Sequence, residues 1–129
     1  MAHILIVDDS PTESHVLRQF FEASGYMVSE ACNGREGIEV AKVQQPDLII
    51  MDVVMPGLNG FQATRELGRR QETVDIPVIM YSAKNQVTDR MWALQQGASA
   101  YLIKPVSEKT LLSTIQRYLH KEISHDDPL

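Results

Sequence analysis

The chain has 129 residues, of which 43% are hydrophobic and 22% are charged, and its formal net charge is -5. This length suits one domain, and the composition is ordinary for a soluble globular protein. The acidic balance excludes a generic nucleic-acid-binding surface, because binding to phosphate backbones requires clustered lysines and arginines. No basic leader precedes an apolar stretch and no apolar run reaches membrane-spanning length, so we expect a cytoplasmic protein without membrane insertion.

The first part of the chain predicts a strand followed by a helix. Residues 4–7 are continuously apolar and suit a strand. Ser10 is a suitable N-cap for the next helix, Pro11 suits its first position, and Glu13 stands where a capping box has its acid. Gly25 predicts the end of this helix.

The remainder of the chain repeats this alternation. The later candidate strands are residues 26–31, 48–51, 76–81 and 101–103. Helical spacing of apolar residues follows each strand, and Val87, Met91 and Leu94 carry that spacing in the fourth helix. Strand–helix alternation predicts an α/β fold with a doubly wound parallel sheet and helices on both faces. We expect one domain over residues 1–121 and a flexible acidic tail over residues 122–129.

Polar residues follow or end four of the predicted strands. Asp8 and Asp9 follow the first, Asp52 follows the third, Ser82 follows the fourth and Lys104 follows the fifth. The carboxyl ends of parallel strands lie along one edge, where open α/β sheets bind ligands. Three carboxylates would repel one another without a cation, which points to Mg²⁺. An aspartate can also act as a nucleophile and form an aspartyl phosphate, stabilised by an ammonium and a hydroxyl.

Each of these residues has an ordinary alternative when it is taken alone. A lone aspartate after a strand is usually a turn or cap residue. The single cysteine, Cys32, excludes an internal disulfide, and its apolar neighbours predict a buried, inert thiol. The four histidines show no paired metal-ligand spacing. Only the coincidence of all the polar strand ends favours a phosphate site.

Four segments, in their order and spacing, resemble the receiver domains of response regulators, the CheY-like family. They are Val7-Asp8-Asp9-Ser10, Met51-Asp52-Val53-Val54-Met55-Pro56-Gly57-Leu58-Asn59-Gly60, Tyr81-Ser82-Ala83 and Lys104-Pro105. The resemblance covers about residues 3–121 and implies a (βα)5 flavodoxin-like fold with strand order 2-1-3-4-5. It also implies a cis peptide bond before Pro105.

The resemblance assigns roles to the polar residues. Asp52 would accept the phosphoryl group, with Mg²⁺ as the cofactor, and Ser82 and Lys104 would bind that group. The implied metal ligands are Asp8, Asp9, Asp52 and the backbone carbonyl of Val54. The family's chemistry further implies Mg²⁺-dependent autophosphorylation and autodephosphorylation, so we expect a phosphoacceptor signalling protein and not an enzyme with a separate substrate.

The resemblance also implies a conformational switch. Phosphorylation would draw Ser82 inward, and Tyr101 would fill the vacated space. The face formed by the fourth helix, last strand and last helix would then bind a downstream protein; the alternative is that Tyr101 is static. Val54 and Lys84 would lie beside the path of the hydrolytic water, and we expect them to slow the loss of phosphate.

The expected biological role is that of a single-domain response regulator that receives its phosphoryl group from a histidine kinase. Few residues follow the last predicted helix, so output would come from binding another protein. Residues 61–65, Trp92 and the segment around Lys104 are most similar to regulators of type IV pilus chemosensory systems, which govern twitching motility. A flagellar-type chemotaxis regulator, a phosphate sink and a phosphorylation-independent binding module are the alternatives.

Overall fold

The structure, a computed structural model, describes the backbone of residues 1–125 and the side chains of residues 1–119. The strands in this part of the chain are β1 His3–Val7, β2 Met27–Ala31, β3 Leu48–Met51, β4 Val78–Ser82 and β5 Ala100–Ile103. The helices are α1 Pro11–Ala23, α2 Gly34–Gln44, α3 Gly60–Gly68, α4 Val87–Gln95 and α5 Glu108–His125. No helix in the described part is long and apolar enough to cross a membrane.

The strands form one parallel sheet with the order β2-β1-β3-β4-β5. This order confirms the predicted fold. The chain runs outward from β1 to β2, returns to β3 on the other side of β1, and then continues to β4 and β5. The reversal of direction lies between β1 and β3, where open α/β sheets bind ligands.

Two apolar layers cover the sheet, because successive side chains of a strand point to opposite faces. Leu5 and Val7 of β1 belong to the layer that α2, α3 and α4 cover. Ile4 and Ile6 belong to the layer that α1 and α5 cover. All four side chains are fully buried. A strand buried on both faces needs the uninterrupted apolar run that the sequence shows.

Helix α4 is where the sequence predicted, but the three large apolar residues that indicated it do not face the sheet. Val87, Met91 and Leu94 are 76%, 55% and 45% exposed, whereas the small Ala93 is fully buried. Ala93 therefore forms the contact with the core, and the apolar spacing that indicated a helix marks its outer face.

One further local prediction is wrong. Cys32 is exposed, so the predicted buried thiol is wrong; it lies just past the end of β2, an edge strand, where the chain leaves the sheet. Helix α5 extends to His125, and the boundary between a domain ending at residue 121 and a flexible tail stays a prediction. The rest of the predicted tail, residues 126–129, lies outside the described residues. The predicted cis peptide bond between Lys104 and Pro105 is confirmed.

Candidate functional site

Strand register brings the predicted site residues together. Val7 at the end of β1 pairs with Met51 at the end of β3, so the aspartates that follow both strands start from the same level. Ser82 at the end of β4 pairs with Ile103, the residue before Lys104. The carboxyl edge of the sheet thus presents acids at its centre, a hydroxyl beside them and an ammonium from β5.

The acidic cluster consists of Asp8, Asp9 and Asp52. One carboxylate oxygen of each lies within 4.8 Å of the others. Asp8 is buried, and its Oδ1 accepts a hydrogen bond of 2.9 Å from the backbone N–H of Ser10. Asp52 Oδ1 accepts a hydrogen bond of 2.8 Å from the backbone N–H of Val53. Hydrogen bonds from the backbone therefore fix the carboxylates of Asp8 and Asp52.

These residues fit a magnesium ion. Mg²⁺ prefers hard oxygen ligands and is bound by a few carboxylates together with water and phosphate oxygens. The cluster offers such oxygens and leaves one member, Asp9, exposed to solvent. The role of the Val54 backbone carbonyl as a further ligand stays a prediction.

The electrostatics of Asp52 reflect its position. Burial raises the pKa of its carboxyl group above the ordinary value; the nearby Lys104 ammonium lowers that pKa, and the charge of Asp8 raises it. The aspartate is thus crowded by another acid and only partly compensated by a cation. A divalent metal ion would relieve this repulsion.

Lys104 links the cluster to α1. Its Nζ lies 3.4 Å from Asp8 Oδ2, 3.4 Å from Asp52 Oδ2 and 2.6 Å from Glu13 Oε1. The ammonium also lies 5.3 Å from the centre of the Tyr81 ring. Burial lowers the pKa of Lys104, but hydrogen bonding to Glu13 and the charges of the aspartates outweigh burial and raise that pKa. The lysine is therefore a fixed positive charge in the site.

Glu13 is a site residue that the sequence interpretation missed. The predicted capping box forms only in part: Ser10 Oγ accepts a hydrogen bond of 3.3 Å from the Glu13 N–H. The Ser10 N–H donates to Asp8 instead of to the Glu13 carboxylate. That carboxylate turns to Lys104. A capping position one turn beyond Asp9 was the available signal, since it places an acid over the same edge of the sheet.

Ser82 and Tyr101 are both buried, at 1% and 7% exposure. Ser82 Oγ accepts a hydrogen bond of 3.2 Å from the Lys84 N–H. The Tyr101 hydroxyl donates a hydrogen bond of 2.8 Å to the Lys84 carbonyl oxygen. Burial raises the pKa of the Tyr101 hydroxyl. Both side chains therefore engage the backbone of Lys84, which joins the two predicted switch residues through the β4–α4 loop.

Val54 and Lys84, the two residues predicted to slow the loss of phosphate, are both exposed to solvent. Val54 is 63% exposed. Lys84 Nζ lies 3.7 Å from Asp89 Oδ1 of α4, and the lysine side chain is 43% exposed. Their effect on hydrolysis stays a prediction.

The family model for the response regulator receiver domain matches residues 4–116. The protein PilH of Pseudomonas aeruginosa is 54% identical over 119 residues, which cover 92% of this chain and 98% of PilH. The DNA-binding dual master transcriptional regulator RpaA of Synechocystis is 35% identical over 140 residues. That alignment covers 100% of this chain but only 58% of RpaA.

Solved structures show the same fold. The chemotaxis protein CheY4 of Vibrio cholerae superimposes with a TM-score of 0.86 at 31% identity, covering 92% of this chain and 98% of CheY4. The receiver domain of a sensor histidine kinase from Pseudomonas aeruginosa superimposes with a TM-score of 0.85 at 32% identity, covering 92% and 97% of the two chains. That receiver domain is described with a magnesium ion coordinated in its active-site cleft.

Proposed function

We propose that this chain, which belongs to the response regulator receiver family, accepts a phosphoryl group on Asp52 from a histidine kinase and thereby changes its binding to another protein. The observation that carries the proposal is the contact of Asp52 with Lys104 within a cluster of three carboxylates. The proposal places the chain in the cytoplasm as a phosphoacceptor, without a separate substrate of its own.

In the proposed reaction, a carboxylate oxygen of Asp52 attacks the phosphorus of a phosphohistidine. The new O–P bond forms as the P–N bond breaks, and the electron pair of the broken bond stays on the imidazole nitrogen of the donor. Lys104 is positioned to donate hydrogen bonds to the phosphoryl oxygens as their negative charge shifts. Water later attacks the same phosphorus, and the Asp52 O–P bond breaks as the new one forms. The electron pair of the broken bond returns to the Asp52 carboxylate, and inorganic phosphate leaves with the oxygen of the water while the water's proton passes to phosphate or solvent.

Mg²⁺ would be held by Asp8, Asp9 and Asp52. When bound, the ion supplies the positive charge that allows an anionic donor to approach these carboxylates. The oxygen donors present and the magnesium described in the related receiver domain support this part of the proposal.

The test uses acetyl phosphate as a small phosphodonor, with Mg²⁺ present. Intact-mass measurement should show one added phosphate on the wild-type chain and none on Asp52→Asn or on the wild type with Mg²⁺ chelated. The matched control is Asp75→Asn, which changes the same charge at an exposed loop position and should label like the wild type. Undiminished labelling of Asp52→Asn would refute the assignment.

The output surface is proposed on α4, β5 and α5. Val87, Met91 and Leu94 project from α4, and Ile103 at the end of β5 is 43% exposed. Exposed apolar side chains on one helix face favour a protein partner. Tyr101, through its hydrogen bond to the Lys84 carbonyl, connects this region to the β4–α4 loop that directly follows Ser82. A rearrangement of Ser82 on phosphorylation would therefore reach α4 directly.

We place the chain in a type IV pilus chemosensory system that controls twitching motility. The 54% identity with PilH over nearly the full length of both chains supports this pathway. A flagellar-type chemotaxis role is the second candidate, favoured by the likeness to CheY4. Deletion of the gene in its source organism separates the two, since the first role predicts a defect in twitching and the second a defect in swimming.

A further inference from the structure

We propose that Glu13 is a holding carboxylate, which occupies the Lys104 ammonium in the unphosphorylated protein and releases it to the incoming phosphoryl group. This inference rests on the proposed phosphorylation of Asp52. It adds a regulatory side chain on α1, outside the four sequence segments that carry the family resemblance.

The contacts of Lys104 use its full capacity as a donor. An ammonium group has three N–H donors and no acceptor. Its nitrogen has three carboxylate neighbours, with Glu13 at 2.6 Å and Asp8 and Asp52 both at 3.4 Å. A phosphoryl oxygen that binds Lys104 must therefore displace one of these carboxylates. The shortest contact is the one made by Glu13.

Burial decides which carboxylate leaves. The Asp8 and Asp52 side chains are only 4% and 13% exposed, whereas the Glu13 side chain is 51% exposed. A buried carboxylate that loses its cation is left without solvation, which is strongly unfavourable. A half-exposed carboxylate recovers hydrogen bonds to water when it turns away, so its separation from the cation costs little. Glu13 is therefore the carboxylate that a phosphoryl oxygen displaces from Lys104.

The consequence is competition for the ammonium. Glu13 and the phosphoryl group both bear negative charge, and each gains from the same donor. Glutamine keeps the length and shape of glutamate, but its neutral amide oxygen accepts a weaker hydrogen bond than a carboxylate does. Glu13→Gln should therefore leave Lys104 more available and accelerate phosphorylation by roughly two- to fivefold, as expected when a half-exposed ion pair becomes a hydrogen bond in which only the lysine is charged.

The experiment measures the initial rate of phosphate gain from acetyl phosphate at one Mg²⁺ concentration, by intact mass, in the wild type and in Glu13→Gln. Glu22→Gln is the matched control, because Glu22 lies on the same helix and is 50% exposed, close to the 51% of Glu13. We expect acceleration in Glu13→Gln alone. An unchanged rate would overturn the inference, and so would a slower rate, since that would mean that Glu13 only orients Lys104.

A second measurement separates this effect from a change in metal binding. The Mg²⁺ concentration that gives half of the maximal rise in melting temperature should be equal in the wild type and Glu13→Gln, because Glu13 is not one of the clustered aspartates. A shifted midpoint would overturn the inference, because the acceleration would then arise through the metal. Absence of phosphate on the wild type itself would instead refute the proposed function.

Discussion

Gly60 allows the first turn of α3 to lie directly against the backbone of the proposed phosphoacceptor. A Cβ atom at this position would lie 2.0 Å from the Asp52 carbonyl oxygen, 2.9 Å from its carbonyl carbon and 2.9 Å from Met80 Cε. The Gly60 N–H also donates a hydrogen bond of 2.9 Å to the Val53 carbonyl oxygen. Substitution by alanine therefore forces two backbone segments apart at the edge of the site.

The expected loss of stability is large because the main clash is with backbone. The Cβ–oxygen distance would have to grow from 2.0 Å to more than 3.0 Å, and to 3.4 Å for an ordinary contact. Overpacking of a core commonly costs about 1–3 kcal/mol, and a clash that no side-chain rotation relieves belongs at the upper end, near 3 kcal/mol. For a domain of this size, such a loss lowers the melting temperature by roughly 10 °C.

Gly68→Ala is the matched control. Gly68 lies at the other end of the same helix, and a Cβ atom there meets nothing within 4 Å. Alanine is the better helix former by up to about 1 kcal/mol, so this variant should be as stable as the wild type or slightly more stable. Urea unfolding followed by circular dichroism compares the three proteins. Equal unfolding midpoints for Gly60→Ala and the wild type would show that the close approach is not a constraint.

Two further predictions concern the metal and the phosphorylated lifetime. Mg²⁺ should raise the melting temperature of the wild type by mass action, and Asp9→Ala should remove most of this gain in a thermal-shift assay. Similar responses of the two proteins would place the metal elsewhere. The double variant Val54→Asn, Lys84→Glu should lose its phosphate faster than the wild type at the same Mg²⁺ concentration, because polar side chains can orient the attacking water where a valine cannot. Equal or slower loss would contradict this control of hydrolysis.

The sequence predicted structure best where a short segment shows by its own composition whether it is buried. Residues 4–7 and 48–51 are continuously apolar, and both proved to be strands buried on two faces. Their parallel pairing then fixes Asp8 and Asp52 at the same end of the sheet. The acidic cluster was predictable because it follows from strand direction together with the adjacency of β1 and β3, with no knowledge of side-chain packing.

Features that depend on neighbouring elements were not predictable in the same way. The spacing of Val87, Met91 and Leu94 identifies a helix, but only the packing of α4 determines that Ala93 faces the core. Glu13 and Lys104 are separated by 91 positions in the chain and meet through the sheet order. The capping position placed Glu13 over the same edge of the sheet, but it gave no indication of which cation pairs with the acid. Cys32 is exposed because the chain turns out of an edge strand, which local hydrophobicity does not record.

Sheet order also explains why the cation of this site is a long side chain. Lys104 follows β5, while Asp52 follows β3, and β4 lies between them. Two strand spacings amount to roughly 10 Å, so a cation that starts from β5 must pass over the end of β4 to reach the aspartate. The residue at that end is Ser82, which pairs with Ile103, the residue before Lys104. The proposed contact of Ser82 with a phosphoryl group on Asp52 depends on this same position, at the end of the strand that separates the aspartate from the lysine.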